Sequence, residues 1–108
     1  MEKVSFADFQ KLELKIGKII SAERVDKSDK LLKLNVDFGD EQRQVISGIA
    51  KEYSPEDLLE KEFTFIINLE PRSIMGLESQ AMILAADVED RAVLLQPEKE
   101  VPAGTKIR

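Results

Sequence analysis

Four cations, Arg24, Lys27, Lys30 and Lys33, fall within ten residues, and a fifth, Arg72, stands beside Pro71 much later in the chain. Such side chains grip phosphates, the ammonium as a point charge and the guanidinium as a two-pronged donor. Small polar groups offer a second kind of contact: Ser47 before Gly48, Asn68, and the pair Ser79-Gln80. Each can hydrogen-bond a ligand, although singly each is better explained by turn chemistry or backbone capping. The lysine cluster also has a plainer reading, because Asp26 and Asp29 nearly balance Lys27 and Lys30, as in a solvated turn. After Arg72, Ile74, Met75 and Leu77 supply apolar surface for packing, an interface or ligand contact.

Other chemistries are absent. The 108 residues contain no Cys and no His, which removes thiol nucleophiles, disulfides, zinc fingers, His-bound metals and Ser-His-Asp triads together. Carboxylates are plentiful, but none is spaced with a nucleophile, a Gly-rich phosphate loop or a metal cluster. The run Glu56 to Glu62 reads as a solvated helix face. The expectation is a non-catalytic module with no cofactor. No apolar run approaches the ~18–20 residues of a membrane span, so a cytoplasmic protein without membrane contacts is expected.

These candidates need a frame. Ser5 caps a short helix, with Asp8 three residues on and Phe6 and Phe9 placed to share its buried side. From Leu12 the period becomes two: Leu12, Leu14, Ile16, Ile20 and Ala22 share one parity, predicting a long strand over residues 12–25 with a bend or bulge at Gly17. Asp26 to Lys30 is a loop. Leu32, Leu34, Val36 and Phe38 alternate as a second strand ending at a Gly39-Asp40 turn, and residues 42–47 form a third. The facing of the third stays open because Val45 and Ile46 are adjacent. Ser54-Pro55-Glu56-Asp57 starts a helix that runs to about Lys61.

Phe63, Phe65, Ile67 and Leu69 mark a fourth strand, and residues 79–87, apolar on both parities, a fifth buried on both sides. A short strand around Val93 to Leu95 precedes a Pro/Gly-containing tail. Three strands, a helix and two strands, with a long bent first strand, is the order of a five-stranded OB barrel. An unrelated α+β sheet is the alternative. The fold class is therefore all-β: one domain with barrel and N-terminal helix over residues 6–88 and an extension over residues 89–108.

Charge and aromatics narrow the ligand. The net charge is −5, yet residues 1–36 hold eight basic against six acidic side chains and the rest hold eight against fifteen. An acidic protein can still carry a local basic face. Of the six aromatics, Phe38, Phe63 and Phe65 fall on apolar strand parities, the helix pair faces inward, and only Tyr53 is unassigned. Single-strand binders stack bases on exposed aromatics. None is spare here, so folded RNA read by shape and backbone is the better fit.

Several strings together resemble the tRNA-binding OB domain family. They are Ile16-Gly17-Lys18-Ile19, Ser28-Asp29-Lys30-Leu31, Leu34-Asn35-Val36-Asp37, Val45-Ile46-Ser47-Gly48-Ile49, Tyr53-Ser54-Pro55-Glu56-Asp57-Leu58, Asn68-Leu69-Glu70-Pro71-Arg72 and Gly76-Leu77-Glu78-Ser79-Gln80-Ala81-Met82. That family includes the C-terminal appendage of methionyl-tRNA synthetases, a free-standing structure-specific tRNA-binding protein, and a domain fused to some tyrosyl enzymes. The resemblance implies a module that binds tRNA by its L-shape and assists aminoacylation, as a homodimer whose interface includes the C-terminal extension. A methionyl-tRNA synthetase core is the implied further partner. It also implies Lys30, Arg72 and Ser79 as phosphate or sugar contacts, Met82 as an apolar contact or support, and Asn68 as part of the Asn-Leu-x-Pro-Arg motif. With Lys27, Lys33, Ser47 and Gln80, these are the candidate tRNA-binding residues.

The sequence departs from the family where Glu70 and Ser73 replace a common Lys and Ala81 a usual Gly, which lowers the positive charge of the loop before the fifth strand. A dimeric peptide-binding export chaperone of the same fold is the alternative function, and a dimerisation appendage without RNA contact a third.

Overall fold

A computed structural model describes residues 1–108. Five antiparallel strands run in the spatial order β3-β2-β1-β4-β7: β1 (Leu14–Arg24), β2 (Leu32–Asp37), β3 (Gln42–Ser47), β4 (Glu62–Ile66) and β7 (Met82–Ile83). Helix α1 (Phe6–Phe9) precedes them and α2 (Pro55–Leu58) joins β3 to β4. Two hairpins stand off the main sheet, β5 (Arg72–Ile74) with β6 (Leu77–Ser79) and β8 (Ala85–Val88) with β9 (Arg91–Leu94). The last strand, β10 (Lys106–Ile107), returns to pair with the start of β1. No helix is long and apolar enough to cross a membrane.

The long first strand serves two halves of the barrel. Leu14 to Lys18 pair with β4, and Lys18 to Arg24 with β2. The bulge lies at Ile20, where the β1–β2 register shifts between Ile19 and Ser21, and not at Gly17. Before it the odd residues Gly17 and Ile19 face the interior; beyond it Ala22 packs against the core. The even parity expected to line the core is therefore corrected. Leu12 and Ile20 are exposed, and Ile16 is buried on the opposite face, where the tail crosses: Ile16 N–H donates to the Thr105 carbonyl (2.9 Å) and Gly104 N–H to the Ile16 carbonyl (2.8 Å). Gly17 has a different duty. A Cβ there would lie 2.5 Å from Val36 Cγ1, 2.7 Å from Phe38 Cε1 and 2.9 Å from Phe65 Cε1.

Alternation elsewhere reads through. Leu32, Leu34 and Val36 of β2, with Phe63 and Phe65 of β4, fill the interior, where Phe38 meets Phe65 edge-on at 5.3 Å. In β3, Val45 joins that core while Ile46 is buried outside it, on the outer face. Tyr53 packs against the core, and its hydroxyl accepts the Leu94 N–H at 3.0 Å.

Three further expectations are corrected. Ser5 caps α1 as read, its Oγ accepting Asp8 N–H at 3.1 Å, but Phe6 and Phe9 are exposed and stack on each other at 6.3 Å. A four-residue helix that no other part of the chain covers has no buried side. Helix α2 ends at Leu58, short of Lys61. Sheet hydrogen bonds claim the next residues: Glu60 N–H donates to the Ile19 carbonyl and Ile19 N–H to the Lys61 carbonyl, at 2.9 and 3.0 Å. Residues 79–87 are not one strand buried on both sides. Ser79, Ala81 and Ile83 point inward between exposed Gln80 and Met82, and Ala85 to Val88 then leave the barrel as an exposed hairpin. Hydropathy registered the apolar residues, but pairing decides whether anything covers them. The division drawn between residues 88 and 89 falls in that hairpin's turn, since Val88 pairs with Arg91.

Candidate nucleic-acid interface

Sheet order alone leaves β3 and the β6–β7 segment unpaired, and one backbone bond with several from side chains closes this seam. Ile46 N–H donates to Ser79 Oγ (3.0 Å), whose own hydroxyl donates to the Ala81 carbonyl (3.1 Å). Gln80 N–H donates to the Gln44 carbonyl (2.8 Å), and Gln44 N–H returns to Gln80 Oε1 (3.0 Å). Arg43 ties the seam further, its Nη1 donating to the carbonyls of Ile67 (2.5 Å) and Gln80 (3.0 Å). The same guanidinium hydrogen-bonds Glu41 at 2.7 Å and thereby holds that carboxyl below the usual carboxylate range. Arg43 was not singled out in the sequence; an arginine between two glutamines in a strand carries no local sign of such a role.

Two of the expected site residues thus take part in closure: Ser79, which is buried, through its hydroxyl, and Gln80, which is exposed, through Oε1. Asn68 is engaged elsewhere. Its Oδ1 accepts Glu13 N–H (2.8 Å) and its Nδ2 donates to the Lys11 carbonyl (2.6 Å), pinning the segment before β1.

The lysines sit around the β1–β2 loop. Ser28 Oγ accepts the N–H groups of Lys30 and Leu31, both at 3.2 Å, and Ala50 N–H donates to the Lys30 carbonyl at 2.9 Å. Lys30 therefore projects an exposed side chain from a backbone fixed on both sides. Lys27, with φ of 65°, occupies the left-handed turn position and is also exposed. Neither takes part in an ion pair, whereas Lys33 pairs with Glu23 at 2.9 Å.

Two clefts flank the β5–β6 hairpin, which turns at Met75-Gly76, both with positive φ. One, of about 350 Å³, separates the hairpin tip (Met75, Leu77) from Arg24, Asp26 and Lys33. The other, of about 110 Å³, is lined by Ile46, Leu69, Ile74, Ala81 and Met82, with Glu70, Arg72 and Ser79. Pairing relates the two. Lys33 opposes Ile46 on the outer face, Ile46 holds Ser79, and Ser79 opposes Arg72. Lys33 therefore lines the first cleft and Arg72 the second, on either side of the hairpin. Ser47, half-buried, ends β3 opposite Leu32 and shares the inward parity of Leu32 and Val45, away from Lys33. The structure thus assembles Arg72, Ser79 and Met82 around one cleft, Lys33 on the other, and Lys27 and Lys30 in the adjoining loop. Sequence reasoning did not find Ile46 as the cleft's wall, because its facing depends on β3's register.

Comparison with known proteins agrees with this architecture. Residues 14–106 match the family model described as "Putative tRNA binding domain". A methionine–tRNA ligase of Archaeoglobus fulgidus is 54% identical over 106 residues, 98% of this chain but only 16% of that protein. The chain thus spans about one sixth of the length of the curated relatives it matches. Among solved structures, a MetRS related protein from Pyrococcus horikoshii superposes with a TM-score of 0.94 at 39% identity, covering 100% of both chains. The chaperone CsaA of Bacillus anthracis gives 0.90 at 34% identity, covering 99% of this chain and 100% of that one. With nearly its whole length matched, the chain belongs to the tRNA-binding domain family.

Proposed function

We propose that this chain binds tRNA through the face bearing Lys27, Lys30, Lys33 and Arg72, without catalysing a reaction, as a domain or partner of a methionyl-tRNA synthetase. The observation that carries this reading is the pairing of exposed, unpaired Lys27 and Lys30 on a fixed loop with membership of the tRNA-binding family. Shape recognition suits the site, because cations spaced across a strand face follow a phosphate backbone and read no sequence. Of the small polar candidates, Asn68 and Ser79 act by holding the surface in shape, Gln80 does so through Oε1 while its Nε2 stays open to a ligand, and Ser47 stands at the end of β3 on the inward parity. Met82 supports the site as apolar surface.

Homodimerisation belongs to this reading. Val4 and Phe6 in the N-terminal segment and Val88, Val93 and Leu95 around the β8–β9 hairpin are exposed apolar side chains that a second copy would cover. Two copies presenting weak faces to one tRNA gain affinity through effective concentration. Residues 1–108 act as one domain, with the extension over 89–108 contributing to that contact.

The test is a tRNA titration at several salt concentrations. Affinity is expected to fall with a log–log slope of about −0.7 to −0.9 per phosphate neutralised, and Lys30→Ala to reduce the slope by about one such unit. The likeness to CsaA supports a second reading, a peptide-binding chaperone. That reading predicts flat salt dependence and binding of apolar peptide in place of tRNA.

A further inference from the structure

We propose that the cleft beside Arg72 takes one unstacked guanine of the bound RNA, with the Glu70 carboxylate reading its Watson–Crick edge. This rests on the tRNA-binding reading and adds a base contact to it. At about 110 Å³ the cleft is smaller than pockets that enclose a whole small molecule, with room for one base edge but not for a stacked run. The three interior phenylalanines are buried, the other two sit in α1, and Tyr53 is bonded to Leu94, so no aromatic lines this cleft. Apolar walls replace them: Ile46, almost fully buried, forms one side, and Met82, 41% exposed, is free to lie against a ring.

The polar groups specify the base. Glu70 and Arg72 flank Pro71, both line the cleft, and neither joins an ion pair or a side-chain hydrogen bond. A carboxylate on a phosphate-binding face repels RNA unless donors meet it. It offers acceptors alone. Guanine is the one standard base whose Watson–Crick edge presents two adjacent N–H donors, on N1 and N2. Adenine and cytosine place an acceptor beside their amine, and uracil sets one N–H between two carbonyls. Arg72, a donor only, then meets the sugar or phosphate of the same nucleotide. Unpaired bases of folded RNA are read in this way, by their edges and faces.

Opposite signs make the test decisive. Removing a negative charge by Glu70→Gln should tighten tRNA binding if electrostatics alone governs; base reading predicts weakening by about tenfold, the scale of a lost bidentate contact. Equal unfolding midpoints would show that the variant folds as the parent does. In parallel, the Met82 methyl NMR signal is followed with guanosine, inosine and adenosine 5′-monophosphates. It should move most with the guanosine nucleotide, less with the inosine one, which lacks the 2-amino group, and least with the adenosine one. Unchanged or tighter binding by Glu70→Gln, or equal shifts from all three nucleotides, overturns the proposal and leaves the tRNA reading standing. Methyl shifts from an apolar peptide with none from guanosine monophosphate overturn it in favour of a peptide groove. A parent chain that fails to bind tRNA at all overturns the underlying reading and the proposal with it.

Discussion

At Gly17 the barrel interior has no room for one more atom. Val36, Phe38 and Phe65, which surround it, are buried and locked against one another, so none can swing aside for a methyl group. Gly17→Ala should destabilise the protein by about 1–3 kcal/mol, the usual cost of overpacking. Urea denaturation checks this, and an unchanged midpoint would mean that the interior is looser than the geometry requires. The two types of lysine differ for a similarly local reason. Lys27 and Lys30 are free, while Lys33 must first leave Glu23. Nothing in the sequence distinguished them, because ion pairing depends on which strand lies alongside.

At the level of elements, barrel closure rests on side chains where a longer ladder would have supplied backbone bonds. Ser79 is the centre of this seam. Ser79→Ala leaves the buried Ile46 N–H without its acceptor, a loss of about 1–3 kcal/mol. Amide exchange at Ile46 should accelerate and the unfolding midpoint should fall, with tRNA affinity following the loosened cleft. A residue serving only as a ligand contact would leave exchange and stability alone. The hairpin signals tell a related story. Alternation identified β2 and β4, because each has one face in the core, and left the facing of β3 open, because Val45 and Ile46 are buried on opposite faces. It failed for residues 79–87, where barrel, seam and exposed hairpin follow one another within a single apolar run.

For the whole molecule, the exposed apolar side chains near both ends of the chain are the surface that the proposed dimer would cover. The paired change Phe6→Asp and Val93→Asp alters two exposed positions, 70% and 48% accessible, and should leave the fold intact. Sedimentation is expected to show a dimer for the parent and a monomer for the variant, with tRNA affinity falling about 10²-fold as the second face is lost. A variant that still sediments as a dimer would place the interface elsewhere.

From the order of residues alone came the class of fold, because period-two patterning, capping and turn chemistry are local and survive without knowledge of neighbours, and the family, through the resemblance of several ordered strings. The tail's return to β1 and the engagement of Asn68, Ser79 and Gln80 in holding the structure were decided only in three dimensions, as was the cleft between Ile46 and Met82. Each joins residues remote in sequence, and a hydrogen-bonding group's availability to a ligand is settled by whichever distant backbone group reaches it first.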